Sequence, residues 1–106
     1  MHDVNIILDR IQKNNFLIIG RAGIDIFPDP PGTKTENVKH FITQLGGSSA
    51  NIGVALSKLA GKCHLLTCVS DDALGKLVIN QLNYYGVNTS LIRFVKGESK
   101  ISLAVV

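Results

Sequence analysis

The stretch LGGSSANIGVALSKLAG, Leu45 to Gly61, decides how the rest of the chain is organised. Its larger apolar residues recur at i, i+3, i+4 and i+7, the spacing of one face of an α-helix. They are Ile52, Ala55, Leu56 and Leu59. Ser48 or Ser49 is expected to cap this helix, and the closing glycine is expected to end it in the left-handed conformation. The sequence therefore predicts a helix entered through two glycines.

The N-terminus of this helix has the chemistry of a binding site. Gly46 and Gly47 carry no β-carbon, so backbone N–H groups at the helix start are open to a ligand rich in hydroxyls or negative charge. The Asn51 side chain offers both a donor and an acceptor, which suits paired hydroxyls, although it could merely serve the first helical turn. Asp25 follows the carboxyl end of the first apolar strand, where ligands of open α/β sheets bind, but an exposed turn aspartate is the alternative.

Several motifs in this order resemble a known family. GG-SSAN-IGVA-LSKLAG followed by VSDDALG resembles the N-terminal signature of the ribokinase-like (PfkB) carbohydrate kinases. IGRAGID, Ile19 to Asp25, narrows the resemblance to the 5-dehydro-2-deoxygluconokinases of inositol breakdown. The resemblance runs from about Phe16 to the end. Ser49 departs from it, because these kinases often carry proline there.

The resemblance implies an α/β fold, the N-terminal part of a ribokinase-like three-layer αβα core with a β-strand lid. Residues 1–14 would be a helical extension, and residues 37–45 and 91–106 would be lid strands over the sugar, able to pair between subunits.

The resemblance also implies roles for individual residues. Gly46, Gly47 and Asn51 would hold sugar hydroxyls, and Asp25 would anchor the substrate without acting as the catalytic base. Arg21 could pair with the carboxylate of a ketoacid, since a guanidinium fork suits it, or form a structural salt bridge.

The catalytic half of such a kinase is not recognisable in the sequence. In the family, the base and the anion hole lie in a later Gly-Ala-Gly-Asp motif, and nothing here resembles that motif or a GK[ST] phosphate loop. No catalytic, cofactor-binding or metal-binding residue is therefore predicted, and ATP and Mg²⁺ would belong to the complete enzyme. We expect the chain alone to be inactive. Two alternatives are a non-catalytic sugar-binding or dimerisation module and the remnant of a truncated gene.

Length and composition fit this interpretation. With 106 residues, 45% of them hydrophobic, the chain is one globular domain or less. The net charge of +3 is spread along the chain, which argues against nucleic acid and is compatible with small anionic ligands. No signal peptide or membrane-length apolar run is visible, so a cytoplasmic protein is expected. Cys63 and Cys68 are predicted to be reduced, buried thiols on opposite faces of one strand.

Other patterns predict the elements around the central helix. Asp3–Lys13 should form an amphipathic helix at the edge of the domain, and Phe16–Ile19 a strand buried on both faces. A Rossmann loop is excluded, because the stretch after this strand has glycines at 20 and 23 only and continues as a β-prone segment. Val38–Leu45 should be a strand that leads into the double glycine, and Cys63–Val69 a second buried strand, so that strand, helical connection and strand make a right-handed βαβ unit.

The last third of the chain is predicted to add one helix and two strands. Asp71 or Asp72 should cap a helix that ends at Gly86, with Gly75 allowing close packing. Its predicted buried residues are Leu74, Leu77, Val78, Leu82 and Tyr85. Ile92–Val95 and Lys100–Val106 should be strands, and unpaired strand edges should favour self-association.

Overall fold

The computed structural model describes residues 2–97 and 100–106; residues 1, 98 and 99, which fall in the predicted extension and lid, lie outside them. The helices are α1 (His2–Lys13), α2 (Ser48–Lys58) and α3 (Ala73–Tyr84), with a short 3-10 turn at Thr35–Asn37. The strands are β1 (Asn15–Ile19), β2 (Gly23–Asp29), β3 (His40–Gly46), β4 (Lys62–Ser70), β5 (Ile92–Val95) and β6 (Ser102–Val105).

The strands form two sheets of three. The core sheet has the order β1-β4-β5, and all of its strands are parallel. The lid sheet has the order β3-β2-β6, with β3 antiparallel and β6 parallel to β2. Helices α2 and α3 pack on β4. The α/β fold with a strand lid is therefore confirmed.

The parallel pairing of the predicted βαβ unit is confirmed, because β1 and β4 are parallel neighbours in the core sheet and α2 lies in the connection between them. β3, the strand directly before α2, pairs antiparallel with β2 in the lid sheet, as predicted for residues 37–45. β4-α3-β5 forms a second parallel unit, whose register matches Thr67 with Ile92. A strand–helix–strand pattern fixes the order of elements along the chain, but the partner of each strand is a non-local choice.

The segment 91–106 also divides between the sheets. β5 extends the core sheet beside β4, whereas β6 joins the lid sheet beside β2. The prediction placed both strands in the lid and left β2 out of it. In the structure β2 is the central lid strand, because its two edges accept β3 and β6.

Helix α2 contacts the core through small residues. Ser49, Ala50 and Gly53 are its buried residues, and a β-carbon at position 53 would lie 3.4 Å from the Cys63 Sγ atom. Ile52 and Leu59, both on the predicted apolar face, are exposed, Ile52 by 50%. Ile52 and Leu59 point outward because the close approach of the helix to β4 leaves little room beneath it, and Val54 is the larger α2 side chain that packs against the core.

Both ends of α2 differ from the prediction. The N-cap residue is Gly47, with φ 94°, and neither serine caps the helix. At the other end Ala60, not Gly61, takes the left-handed conformation, with φ 65°. Gly61 N–H donates to the Leu56 carbonyl at 2.9 Å, and Ala60 N–H donates to the Ser57 carbonyl at 3.0 Å. These two bonds form a Schellman motif, in which the residue at C′ is left-handed.

Helix α3 follows its prediction closely. Asp72 is the N-cap, and its Oδ1 atom accepts from the Gly75 N–H at 2.9 Å. A β-carbon at Gly75 would overlap the Ser70 carbonyl oxygen, so this glycine permits the close packing that was expected. Val78 and Leu82 are fully buried, although Leu74, also predicted to be buried, is exposed.

The face of the core sheet opposite α2 and α3 is open. Leu17 is 55% exposed and Ile19 is 69% exposed, so the prediction that β1 is buried on both faces is wrong for this chain. α1 forms as predicted, but most of its apolar side chains are exposed as well, including Val4 and Ile7. One contact of α1 with the domain is between Ile11 and Gly61.

The cysteines are both free, and they lie on opposite faces of β4 as expected. Cys63 is buried, but Cys68 is exposed, which corrects the prediction of two buried thiols. In the described part of the chain, no helix is long and apolar enough to cross a membrane.

Candidate functional site

The link between the two sheets passes over the start of α2. β1 ends at Ile19 and β2 begins at Gly23, so the connecting residues are Gly20, Arg21 and Ala22. The Arg21 N–H donates to the Ser49 Oγ atom at 3.3 Å, and a β-carbon at Gly20 would overlap the same hydroxyl. Ser49, the residue that departs from the family pattern, therefore ties this link to the helix.

Gly47 is required by the same close approach. A β-carbon there would lie 2.7 Å from the Arg21 carbonyl oxygen, and its φ of 94° disfavours any residue with a side chain. As an N-cap without a side chain, Gly47 offers the first N–H groups of α2 no side-chain acceptor. Those groups can therefore be used by a ligand.

Asp25 reaches this region from the middle of the lid sheet. It is half-buried, on the face of β2 that also presents its cross-strand partners Gln44 on β3 and Ala104 on β6. Its carboxylate lies against Gly46, where a β-carbon would overlap the Oδ1 atom. Gly46 is therefore the residue that makes room for the Asp25 carboxylate beside the start of α2.

These residues surround a cavity of about 270 Å³, which we call the hydroxyl cavity. Its lining includes Arg21, Asp25, Gly47 and Ser48, with Leu103 and Ala104 of β6 contributing an apolar wall. The carboxylate can accept hydrogen bonds from hydroxyl groups, and the helix N-terminus and the guanidinium can donate them. The structure thus brings together four of the five predicted site residues, Gly46 through its contact with Asp25.

Asn51 lies elsewhere. Its backbone N–H donates to the Gly47 carbonyl at 3.0 Å, which places it a full turn into α2. It lines a different cavity, of about 420 Å³, together with Gln44 and Lys58. Asn51 and Asp25, both predicted to bind sugar hydroxyls, therefore line different cavities, because the helical turn carries Asn51 towards β3.

Gln44 lines the cavity of Asn51 and is a neighbour of Asp25 in the other cavity. It is the cross-strand partner of Asp25 and lines the cavity of Asn51. Directly opposed residues have their β-carbons about 4.5–5.5 Å apart, so the Gln44 and Asp25 side chains are neighbours on one face of the sheet. Sequence reasoning missed Gln44, which the alternation of β3 could have placed only after its pairing with β2 was known.

A second carboxylate, Asp72, lies near the carboxyl end of β4. The pKa of Asp72 is lowered, first by the hydrogen bond from the Gly75 N–H and then by that from the Ser70 hydroxyl, with a smaller contribution from the positive charge of Lys100. These partners identify Asp72 as a helix cap. Within residues 2–97 and 100–106, no group of three or more His, Cys, Asp or Glu side chains converges as a metal site.

Comparison with known proteins places this geometry in a family. A family model described as pfkB family carbohydrate kinase matches residues 13–106. A 5-dehydro-2-deoxygluconokinase of Photobacterium profundum is 34% identical over 99 residues, 93% of this chain and 30% of that protein. One of Clostridium tetani is 39% identical over 95 residues, 90% of this chain and 28% of that protein.

A solved structure shares the fold. Aminoimidazole riboside kinase from Salmonella enterica, complexed with aminoimidazole riboside and an ATP analog, superposes with a TM-score of 0.72 and 27% sequence identity. The match covers 88% of this chain and 29% of that one. The chain thus spans about three-tenths of the length of the curated relatives it matches. With the family model matching all but its first residues, the chain belongs to the pfkB family of carbohydrate kinases.

Proposed function

We propose that this chain is the sugar-binding part of a kinase that transfers a phosphoryl group from ATP to a hydroxyl of a sugar acid, 5-dehydro-2-deoxygluconate, in inositol breakdown. The observation that carries the proposal is the convergence of the Asp25 carboxylate, the glycine pair and Arg21 on the hydroxyl cavity. The names of the relatives from Photobacterium profundum and Clostridium tetani support the choice of substrate.

In this proposal the residues of the hydroxyl cavity bind different groups of the substrate. Asp25 accepts hydrogen bonds from hydroxyl groups, while the N–H groups that follow Gly47 donate to their oxygens. Gly46 keeps the carboxylate in place. Arg21 faces the charged end of the sugar acid, where its guanidinium suits a carboxylate.

Asn51 binds the far end of the same sugar. Because Gln44 is the cross-strand neighbour of Asp25 and shares a cavity with Asn51, a polyhydroxylated chain held by Asp25 can extend past Gln44 to the amide. Asn51 then contributes a neutral hydrogen bond, whereas Asp25 contributes charged ones.

The phosphoryl-transfer half is assigned to residues outside this chain. Phosphoryl transfer needs a positioned base, donors for the transferring phosphate and magnesium-bound nucleotide. Among the described residues, no group of His, Cys, Asp or Glu side chains could hold the metal. We expect a coupled kinase assay on the purified chain to show no turnover that depends on the sugar, and such turnover would refute this assignment.

The lid sheet supports self-association. β3 and β6 are its edge strands, and they carry exposed apolar side chains, among them Phe41 and Ile42 on β3 and Val105 on β6. Unpaired edges of this kind favour pairing with another copy. Light scattering should then report a dimer, and replacing Ile42 with Lys should shift it towards the monomer. A monomeric wild-type chain at high concentration would contradict the proposal.

The sugar site is tested by calorimetry with 5-dehydro-2-deoxygluconate. Asp25→Asn keeps the shape of the side chain but removes its charge, so binding should weaken about tenfold or more. Asp29→Asn is the matched control, since Asp29 is exposed at the far end of the same strand. Equal affinities for the wild type and Asp25→Asn would rule out the hydroxyl cavity as the sugar site.

A further inference from the structure

A second cavity, of about 220 Å³, lies on the other side of the link between the sheets. It lies at the carboxyl ends of β4 and β5, where Ser70 and Val95 line it. Lys100, two residues before β6 begins, lines it as well. Arg21 lines this cavity as well as the hydroxyl cavity. The two spaces therefore meet at one guanidinium.

Two cationic side chains line this second cavity. Among the residues that the structure describes, Arg21 and Lys100 are the charged members of its lining. Asp72 is a described carboxylate that feels the charge of Lys100, which is one of the causes of its lowered pKa. The Asp72 Oδ1 atom already accepts from the Ser70 hydroxyl at 2.7 Å and from the Gly75 N–H at 2.9 Å. Asp72 is thus held as a helix cap by partners of its own.

We propose that the Arg21–Lys100 cavity is the subsite for the carboxylate of the sugar acid and that Lys100 selects acidic over neutral sugars. This inference rests on the proposed function, because the hydroxyls of the same ligand lie against Asp25. A carboxylate placed beside Asp25 would be repelled, whereas on the far side of Arg21 it meets two cations. Arg21 then sits between the two ends of the ligand, and Lys100 supplies the second cation.

The orientation of the ligand follows from this arrangement. The acid end points towards the carboxyl ends of the core strands, and the hydroxyl-bearing end points into the lid sheet. A neutral polyol can use the hydroxyl cavity but gains nothing from Lys100. The charge contribution should also weaken as salt is added, because Lys100 is exposed.

Two probes with matched hydroxyls separate the subsites, namely gluconate and its neutral counterpart glucitol. Calorimetry on the full chain should show gluconate binding about tenfold more tightly than glucitol at low salt. Lys100→Gln should abolish most of that preference without changing glucitol affinity, and Lys100→Arg should restore it. Lys96→Gln, at a nearby exposed lysine, is the matched control and should leave both affinities unchanged.

The outcomes separate this inference from the proposed function. Suppose that glucitol and gluconate bind with equal affinity and that Lys100→Gln changes neither affinity, while Asp25→Asn lowers both. The carboxylate subsite is then refuted and the sugar site stands. If Lys100→Gln weakens gluconate but Asp25→Asn has no effect on either probe, the hydroxyl site is refuted and the subsite stands. Inorganic phosphate that binds as tightly as gluconate would show an unselective anion site and overturn the inference. Failure of both probes to bind would overturn both proposals.

Discussion

The Asp25 carboxylate rests directly against the α-carbon of Gly46 across the β2–β3 ladder. A β-carbon at position 46 would lie 2.8 Å from the Asp25 Cγ atom and would overlap one of its oxygens. The residue that begins the glycine pair therefore also decides where the carboxylate of the neighbouring strand can lie.

Gly46→Ala should displace the Asp25 carboxylate from the hydroxyl cavity. Because the added methyl group and the carboxylate cannot occupy the same space, affinity for 5-dehydro-2-deoxygluconate should fall about tenfold or more. Calorimetry measures the loss. Gly53→Ala is the control, since this α2 residue has no positive φ and a β-carbon there would make ordinary contacts, the nearest at 3.4 Å from the Cys63 Sγ atom. Unchanged affinity in Gly46→Ala would show that the carboxylate does not need this position.

Asp25→Ala should weaken sugar binding more than Asn51→Ala. Charged hydrogen bonds contribute about 1.5–3 kcal/mol and neutral ones about 0.5–1.5 kcal/mol, so the two variants should differ in that order. Calorimetry on both variants checks the ranking. If Asn51→Ala bound the sugar more weakly than Asp25→Ala, the principal sugar contact would instead lie in the cavity that Asn51 shares with Gln44.

Gly75→Ala should destabilise the fold severely. The new methyl group would overlap the Ser70 carbonyl oxygen, which is main chain and cannot rotate away, so the loss should exceed about 2 kcal/mol. Urea unfolding measures it. Gly53→Ala is the matched control in α2, because its β-carbon would lie 3.4 Å from Cys63 Sγ, and it should change stability by less than about 1 kcal/mol. Similar losses in the two variants would contradict the packing described for Gly75.

The Asp72 cap should make the fold sensitive to acid. The pKa of Asp72 is lower in the folded chain, chiefly because its carboxylate accepts from the Gly75 N–H, so the folded state binds its proton less readily than the unfolded state. The stability it contributes is therefore present above the unfolded pKa and is lost as pH falls through the lower, folded pKa. Asp72→Asn should reduce this acid dependence in urea unfolding, whereas Asp71→Asn should preserve it. If the free energy of unfolding depended on pH in the same way for the wild type and Asp72→Asn, the contribution of the Asp72 cap to acid sensitivity would be refuted.

The two cysteines should react differently with a thiol reagent. Cys68 is exposed and should be labelled in the folded chain, whereas Cys63 is buried and its pKa is raised by burial, so little thiolate is available. Mass spectrometry after brief labelling should find one modification, at Cys68, and two after denaturation. Rapid native labelling of Cys63 would mean that the contact between α2 and β4 opens readily.

Much of this protein follows from local sequence alone. The positions of α2 and α3, the Asp72 cap, the close packing at Gly75 and the glycine pair before α2 are set by residues a few positions apart, whose effects are short-ranged. The family follows in the same way, because its signature lies in contiguous motifs matched over residues 13–106.

Which strands pair with each other, and which side chains are buried, was decided only by the tertiary structure. The sequence shows that Ile92–Val95 is a strand and that the stretch after Gly23 is β-prone, but not that β2 is the central lid strand and β5 joins the core sheet, since strand pairing joins residues far apart in the chain. The same holds for α2, which buries small residues and exposes Ile52 because the distance to β4 sets what fits beneath it. Asn51 and Asp25 were predicted from the sequence, but the separate cavities that they line depend on the turn of α2 and on the β2–β3 register.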